Sequence, residues 1–115
     1  MFGRPFLTDP NRAREREAAI EALQSNERTI TRAVRGVFKR APCVDECARI
    51  ACPTLVLHGQ HDQAIALQRA KALVGLIANA TLQIDDLGGH TLPLENPQFV
   101  ATAIRTFIEQ QQHEL

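Results

Sequence analysis

A chain of 115 residues carrying 13 basic and 13 acidic side chains has room for one domain with a modest core. Its zero formal charge provides no global field to gather nucleic acid or anionic lipid. No apolar run approaches the ~18 residues of a membrane-spanning helix, and Met1-Phe-Gly-Arg-Pro leads into charged sequence instead of an apolar leader.

Met1 to Pro10 reads as loop, broken by Pro5 and Pro10. A first helix is expected from about Asn11 to Gln24, with Asp9 as cap and Pro10 in the first helical position. Its apolar contacts, Ala13, Ile20 and Leu23, form a thin stripe. Ser25-Asn26 breaks the pattern. A second helix over about Glu27 to Arg40 is expected to bury Ile30, Ala33, Val34, Val37 and Phe38. Gly36 lies inside it, at a cost of ~1 kcal/mol relative to alanine. Basic residues concentrate in this half, but Glu15, Glu17, Glu21 and Glu27 interleave with the first of them, which suits a solvated helix face. Cys43 to Ile50 reads as a short helix or turn.

The stretch from Pro53 to His90 has a different grammar. Thr54 to His58 is a short apolar run opened by a proline and closed by a glycine, as in a buried strand. From Ala64 to Ile77, Ala66, Ala70, Leu73 and Ile77 recur at helical spacing, with Leu67 and Val74 alongside. Thr81 to Ile84 is a second strand running into Asp85-Asp-Leu-Gly-Gly. Strand, helix and strand in ~30 residues make a βαβ unit with parallel strands and a right-handed crossover. Asn96 then caps a closing helix with Pro97 first inside it, and Phe99, Val100, Ala103, Ile104, Phe107 and Ile108 recur on one face.

Chemistry is expected at the carboxyl ends of the two strands, where open α/β sheets bind ligands. Asp62 follows the first strand and His90 the second. A carboxylate beside an imidazole can hold its tautomer and stabilise the imidazolium that forms when it takes a proton. Asp85 and Asp86 are rival acids, read as strand-end solvation or loop capping; His61 is expected to face solvent, and Glu95 to favour the start of the closing helix electrostatically. Cys43, Cys47 and Cys52 precede His58 and His61 but lack a paired C-x-x-C, so neither metal nor cofactor is expected. Three cysteines without a secretory leader imply reduced thiols and a cytoplasmic setting.

These residues carry a resemblance. Pro53-Thr-Leu-Val-Leu-His-Gly-Gln-His-Asp62 looks like the penultimate-strand segment of an α/β-hydrolase, and Gly88-Gly-His-Thr-Leu-Pro-Leu-Glu-Asn-Pro97 looks like its histidine loop. The match covers roughly Ile50 to Ile108. Residues 1–49 resemble, more weakly, the end of the family's helical cap. The resemblance implies two segments, 1–49 cap-like and 50–115 hydrolase-like, the latter a βαβ-α portion of a doubly wound parallel sheet. It implies Asp62 as catalytic acid and His90 as catalytic base.

Two departures stand out. Relatives often carry a proline a few residues after the acid, where Ala64-Ile-Ala stands here. More important, no Gly-x-Ser-x-Gly nucleophile elbow exists in this sequence, and the lone serine, Ser25, lies in Gln-Ser-Asn-Glu. The expectation is a C-terminal segment of a Ser-His-Asp enzyme for small ester-like substrates, inactive alone. The alternative is a non-catalytic remnant or interaction module on the same fold. Leu55, Val56 and Leu57 are apolar on consecutive positions, as in a central strand, and only one partner strand is visible. Expected partners are therefore a homodimer mate or a complementing chain, plus a small-molecule substrate once the site is complete; no nucleic acid or membrane is expected.

Overall fold

The computed structural model describes residues 1–114. The elements in order are α1 (Arg4–Thr8), a 3-10 turn (Pro10–Arg12), α2 (Ala13–Gln24), α3 (Ile30–Lys39) and α4 (Val44–Cys47). They continue with β1 (Thr54–Gly59), α5 (Leu67–Leu76), β2 (Ala80–Asp85), α6 (Leu92–Glu95) and α7 (Pro97–His113). Two compact units result: Met1–Thr8 together with the chain from Val44 onward, and Asp9–Cys43.

The first unit is built on the βαβ unit anticipated from the apolar runs. Strands β1 and β2 pair in parallel, with Thr54 opposite Ala80 and Gly59 opposite Asp85. The ladder is extended at both ends by Thr54 N–H to the Asn79 carbonyl (2.8 Å) and Gln60 N–H to the Asp85 carbonyl (2.9 Å). The crossover helix α5 packs on both strands and buries Ala70, while Ile77 is buried just beyond its end. It starts at Leu67, later than its periodicity suggested. Asp62 explains the delay: its Oδ1 accepts from the N–H groups of Ala64 (2.9 Å) and Ile65 (2.8 Å), holding this stretch in a side-chain-closed turn.

The closing helix α7 begins as expected, with Asn96 Oδ1 accepting from Phe99 N–H (3.2 Å) and Pro97 in the first turn. The buried apolar residues are Phe6, Ala70, Ile77, Leu92 and Ala103, a small core drawn from α1, α5 and its C-terminal edge, α6 and α7. Leu55, Val56 and Leu57 are half-buried, not enclosed on both faces.

The N-terminal segment differs from the loop expected there. Residues 4–8 form α1, Phe6 is 3% exposed, and the Phe2 and Phe6 rings lie 5.1 Å apart. Pro5 falls in the first turn, where its missing N–H has no helical partner to lose. A five-residue helix is too short to show a period, so tertiary contact defines it.

The second unit contains α2 and α3. At its start Asp9 Oδ1 accepts from Asn11 N–H (2.9 Å), and Arg12 pairs with Glu15 at 2.5 Å. The expected burial on α3 is corrected by the structure: Ile30, Val34, Val37 and Phe38 are exposed, Phe38 at 83%. Periodicity shows that a helix has an apolar face; it does not supply the surface that covers it.

Candidate active site

The parallel register places the ends of β1 and β2 side by side, so the 60–66 and 86–91 loops leave the sheet as neighbours. They are tied directly by His61 N–H to the Gly88 carbonyl (2.8 Å). Gly59 makes this approach possible, because a Cβ there would overlap the carbonyl oxygens of Gly88 and Gly89.

Across this junction His90 Nδ1 lies 3.0 Å from Asp62 Oδ2. The residues are 28 apart in sequence and are brought together by the crossover. Asp62 divides its oxygens: Oδ1 is held by the Ala64 and Ile65 N–H groups, leaving Oδ2 for the ring. Its side chain is 4% exposed, whereas that of His90 is 42% exposed. Burial by itself pushes the Asp62 carboxyl up. The hydrogen bonds from Ile65 N–H, His90 and Ala64 N–H, with the attraction of the His90 ring, outweigh it and hold the group below its ordinary value. An ionised carboxylate only accepts, so Nδ1 of His90 carries the hydrogen. In the neutral ring Nε2 is then left with a lone pair, the form that can take a proton from a nucleophile.

His58 is a component that the sequence reading placed only as the end of a strand. It is 8% exposed, and its Nε2 lies 2.9 Å from the Ile65 carbonyl and 3.5 Å from Asp62 Oδ2. A carbonyl only accepts, so Nε2 donates to Ile65; the longer approach to Asp62 lies outside ordinary hydrogen-bond range. His58 thereby fastens the far end of the acid loop to the strand it leaves, at the Ala64-Ile-Ala stretch.

The rival acids have other tasks. Asp85 is 5% exposed, so the solvation role is corrected; it caps the turn by accepting from Leu87 N–H (3.1 Å) and from Asn96 Nδ2 (3.0 Å). Asp86 is exposed, and His61 is half-buried instead of facing solvent fully. Glu95 is also corrected: it is 4% exposed and folds back onto the histidine loop. Two of its partners, Gly89 and Thr91, are near in sequence, but the third, Gly3, lies 92 positions away, and no local pattern announced that contact.

A cavity of about 170 Å³ adjoins the pair, lined by Leu57, His58, Asp62, Ile65, His90 and Leu92 among others. That is below the ~300–1,000 Å³ of typical small-molecule sites. Among the described residues no three His, Cys, Asp or Glu side chains group as metal ligands.

The model of the FSH1 serine hydrolase family matches residues 17–102, which include both Asp62 and His90. The chain belongs to the FSH1 serine hydrolase family. Curated relatives point the same way. A Pseudomonas syringae pv. syringae protein named as a carbamate hydrolase, RutD, is 32% identical over 66 residues, covering 57% of this chain and 26% of its own length. Human protein ABHD8 is 30% identical over 61 residues, 53% of this chain and 14% of its own length. The chain therefore spans about a quarter or less of these relatives. A solved serine hydrolase involved in carbazole degradation, CarC, superposes with a TM-score of 0.63 at 22% identity, over 70% of this chain and 31% of that one. The fold is thus a partial α/β-hydrolase fold with a short parallel sheet, and family membership supports a hydrolase function. No helix among the described residues is long and apolar enough to cross a membrane.

Proposed function

We propose that Asp62 and His90 are the acid and base of a Ser-His-Asp acyl-transfer site, and that this chain supplies that half of it. The supporting observation is the 3.0 Å contact from His90 Nδ1 to an Asp62 oxygen, with the other oxygen independently fixed. In a complete enzyme a serine attacks the carbonyl of a small ester-like substrate. His90 Nε2 takes the hydroxyl proton and returns it to the leaving group, while Asp62 orients the ring and stabilises its charged form.

The serine comes from polypeptide outside this sequence, contributed by the remainder of a longer chain or by a complementing one. Ser25 does not fill the role: its hydroxyl donates to the Ala22 carbonyl (2.8 Å) at the end of α2 and lies on no strand-to-helix elbow. The small cavity agrees with this division, since most of a substrate's surroundings must be added.

Hydrolysis of p-nitrophenyl esters by the purified chain and by His90→Ala tests the reading. No saturable turnover is expected from either. Turnover that vanishes in the variant overturns the inactivity of the chain alone, and turnover that persists overturns the role of His90. Imidazole 15N spectra test the pair itself: a proton on Nδ1 of His90 is expected, and its loss in Asp62→Asn.

A further inference from the structure

Of the carboxylates in the first unit, Glu95 has the densest hydrogen bonding, and the proposed chemistry leaves it unused. Its Oε1 accepts from the N–H groups of Gly3 (2.5 Å) and Gly89 (3.2 Å). Its Oε2 accepts from Thr91 N–H (3.0 Å) and Thr91 Oγ1 (2.8 Å). Gly89 and Thr91 flank His90 on either side. The N–H of His90 itself donates to the Met1 carbonyl (2.9 Å). All three backbone N–H groups from 89 to 91 are therefore fixed, two by one buried carboxylate and the third by the segment that this carboxylate also holds.

Sterics confine the arrangement further. A Cβ at Gly3 would lie 2.9 Å from Gly89 N, and one at Gly89 would lie 2.7 Å from Gly3 Cα, so only paired glycines let the two backbones meet over Glu95. A buried carboxylate with this many donors is worth more than isolated neutral bonds, because each is charge-assisted. Removing the charge leaves N–H groups without an equal acceptor in a dry site.

We infer that Glu95 is a positioning residue for His90: it fixes the 89–91 backbone, with Met1–Gly3 as a strap, so that the ring meets Asp62. This rests on the reading of Asp62 and His90 as an acid–base pair. Glu95 acts through the backbone and touches no reacting atom.

The test is 15N NMR on the full chain carrying Glu95→Gln, which keeps size and shape. The amide's NH2 must face either Gly3 and Gly89 N–H or Thr91 N–H, and neither can accept from it. In the folded variant the amides of Gly89 and Thr91 should exchange roughly tenfold to a hundredfold faster, the loss expected for bonds to a charged group. The Nδ1-bound proton signal of His90 should weaken or vanish, although Asp62 is untouched. An unchanged His90 signal in a folded E95Q overturns the inference. Exchange in the unaltered chain covers a variant that fails to fold. The amides of Gly3, Gly89 and Thr91 share one acceptor group, so all three should be protected and should open together. Ordinary loop exchange at Gly89 and Thr91 overturns the inference without any mutation. Asp62→Asn separates the two readings, since it should abolish the His90 signal while leaving those three amides protected. An unaltered chain with protected amides but no Nδ1-bound proton overturns both the pairing of Asp62 with His90 and the positioning built on it, and leaves Glu95 only a structural clamp.

Discussion

At the level of single residues, Asp62 joins loop shape to acid–base geometry, and its ionisation links both to stability. Its folded carboxyl sits below the ordinary value, because the hydrogen bonds it accepts outweigh the cost of burying it. On unfolding, the group returns to about 3.9, so in the interval just below that value the unfolded chain binds the extra proton. Stability must therefore rise with pH across that interval. The contribution is complete above about pH 4 to 5 and is lost as the pH falls through the lowered folded value. Melting temperatures of the wild type and Asp62→Asn, measured from pH 7 to pH 2.5, should differ most at neutral pH and converge in acid. A constant difference would place the effect of Asp62 in its shape instead of its charge. The histidine loop teaches a related lesson about what a sequence displays. Asp62 and His90 were legible because each follows an apolar run at a strand's carboxyl end. Glu95 was not, since its partner Gly3 lies 92 positions away, and only the folded chain brings a glycine backbone against it.

Among elements, the βαβ unit and α7 were legible because their apolar spacing and cap chemistry agree with the fold they enter. The short helices α1 and α6 were not, since five and four residues make little more than one turn and repeat no pattern, whereas α4 falls inside the Cys43 to Ile50 stretch read as a short helix or turn. The glycines separate packing from propensity in a way that substitution can measure. Gly75, inside α5, has nothing within 4 Å of where a Cβ would stand, so Gly75→Ala should raise stability by ~0.5–1 kcal/mol. Gly59 ends β1 at the junction of the 60–66 and 86–91 loops, and there a Cβ meets backbone that has no side-chain freedom to yield. Gly59→Ala should cost about 1–3 kcal/mol as an overpacked site, and it should shift the His90 ring resonances as the loops part. Urea unfolding of both variants checks the opposite signs. Equal effects would mean that the loops do not meet as closely as the register requires.

At the scale of the molecule, the sheet is too small for the surface it presents. Only β2 pairs with β1 among the described residues, so the other edge of β1 offers unpaired N–H and C=O groups beside half-buried Leu55, Val56 and Leu57. Two strands alone are marginal in water. Ile104 and Ile108 of α7, with Leu76 of α5, add large exposed apolar side chains within the same unit. At ~25 cal/mol per Å², covering even a few hundred Å² of such surface is worth several kcal/mol, comparable with the whole stability of a small domain. We therefore expect the β1 edge to be occupied in solution, by a second copy of this chain or by the polypeptide that carries the nucleophile. Static light scattering over a dilution series should give a mass above that of one chain, falling as the sample is diluted. The unpaired strand should also favour exchange of partners over a rigid assembly. Lys substituted for Val56 should shift the association toward monomer, because a charge on an open strand opposes pairing. A cooperative monomer at micromolar concentration that binds no apolar dye would overturn the expectation and leave the edge covered from within the chain.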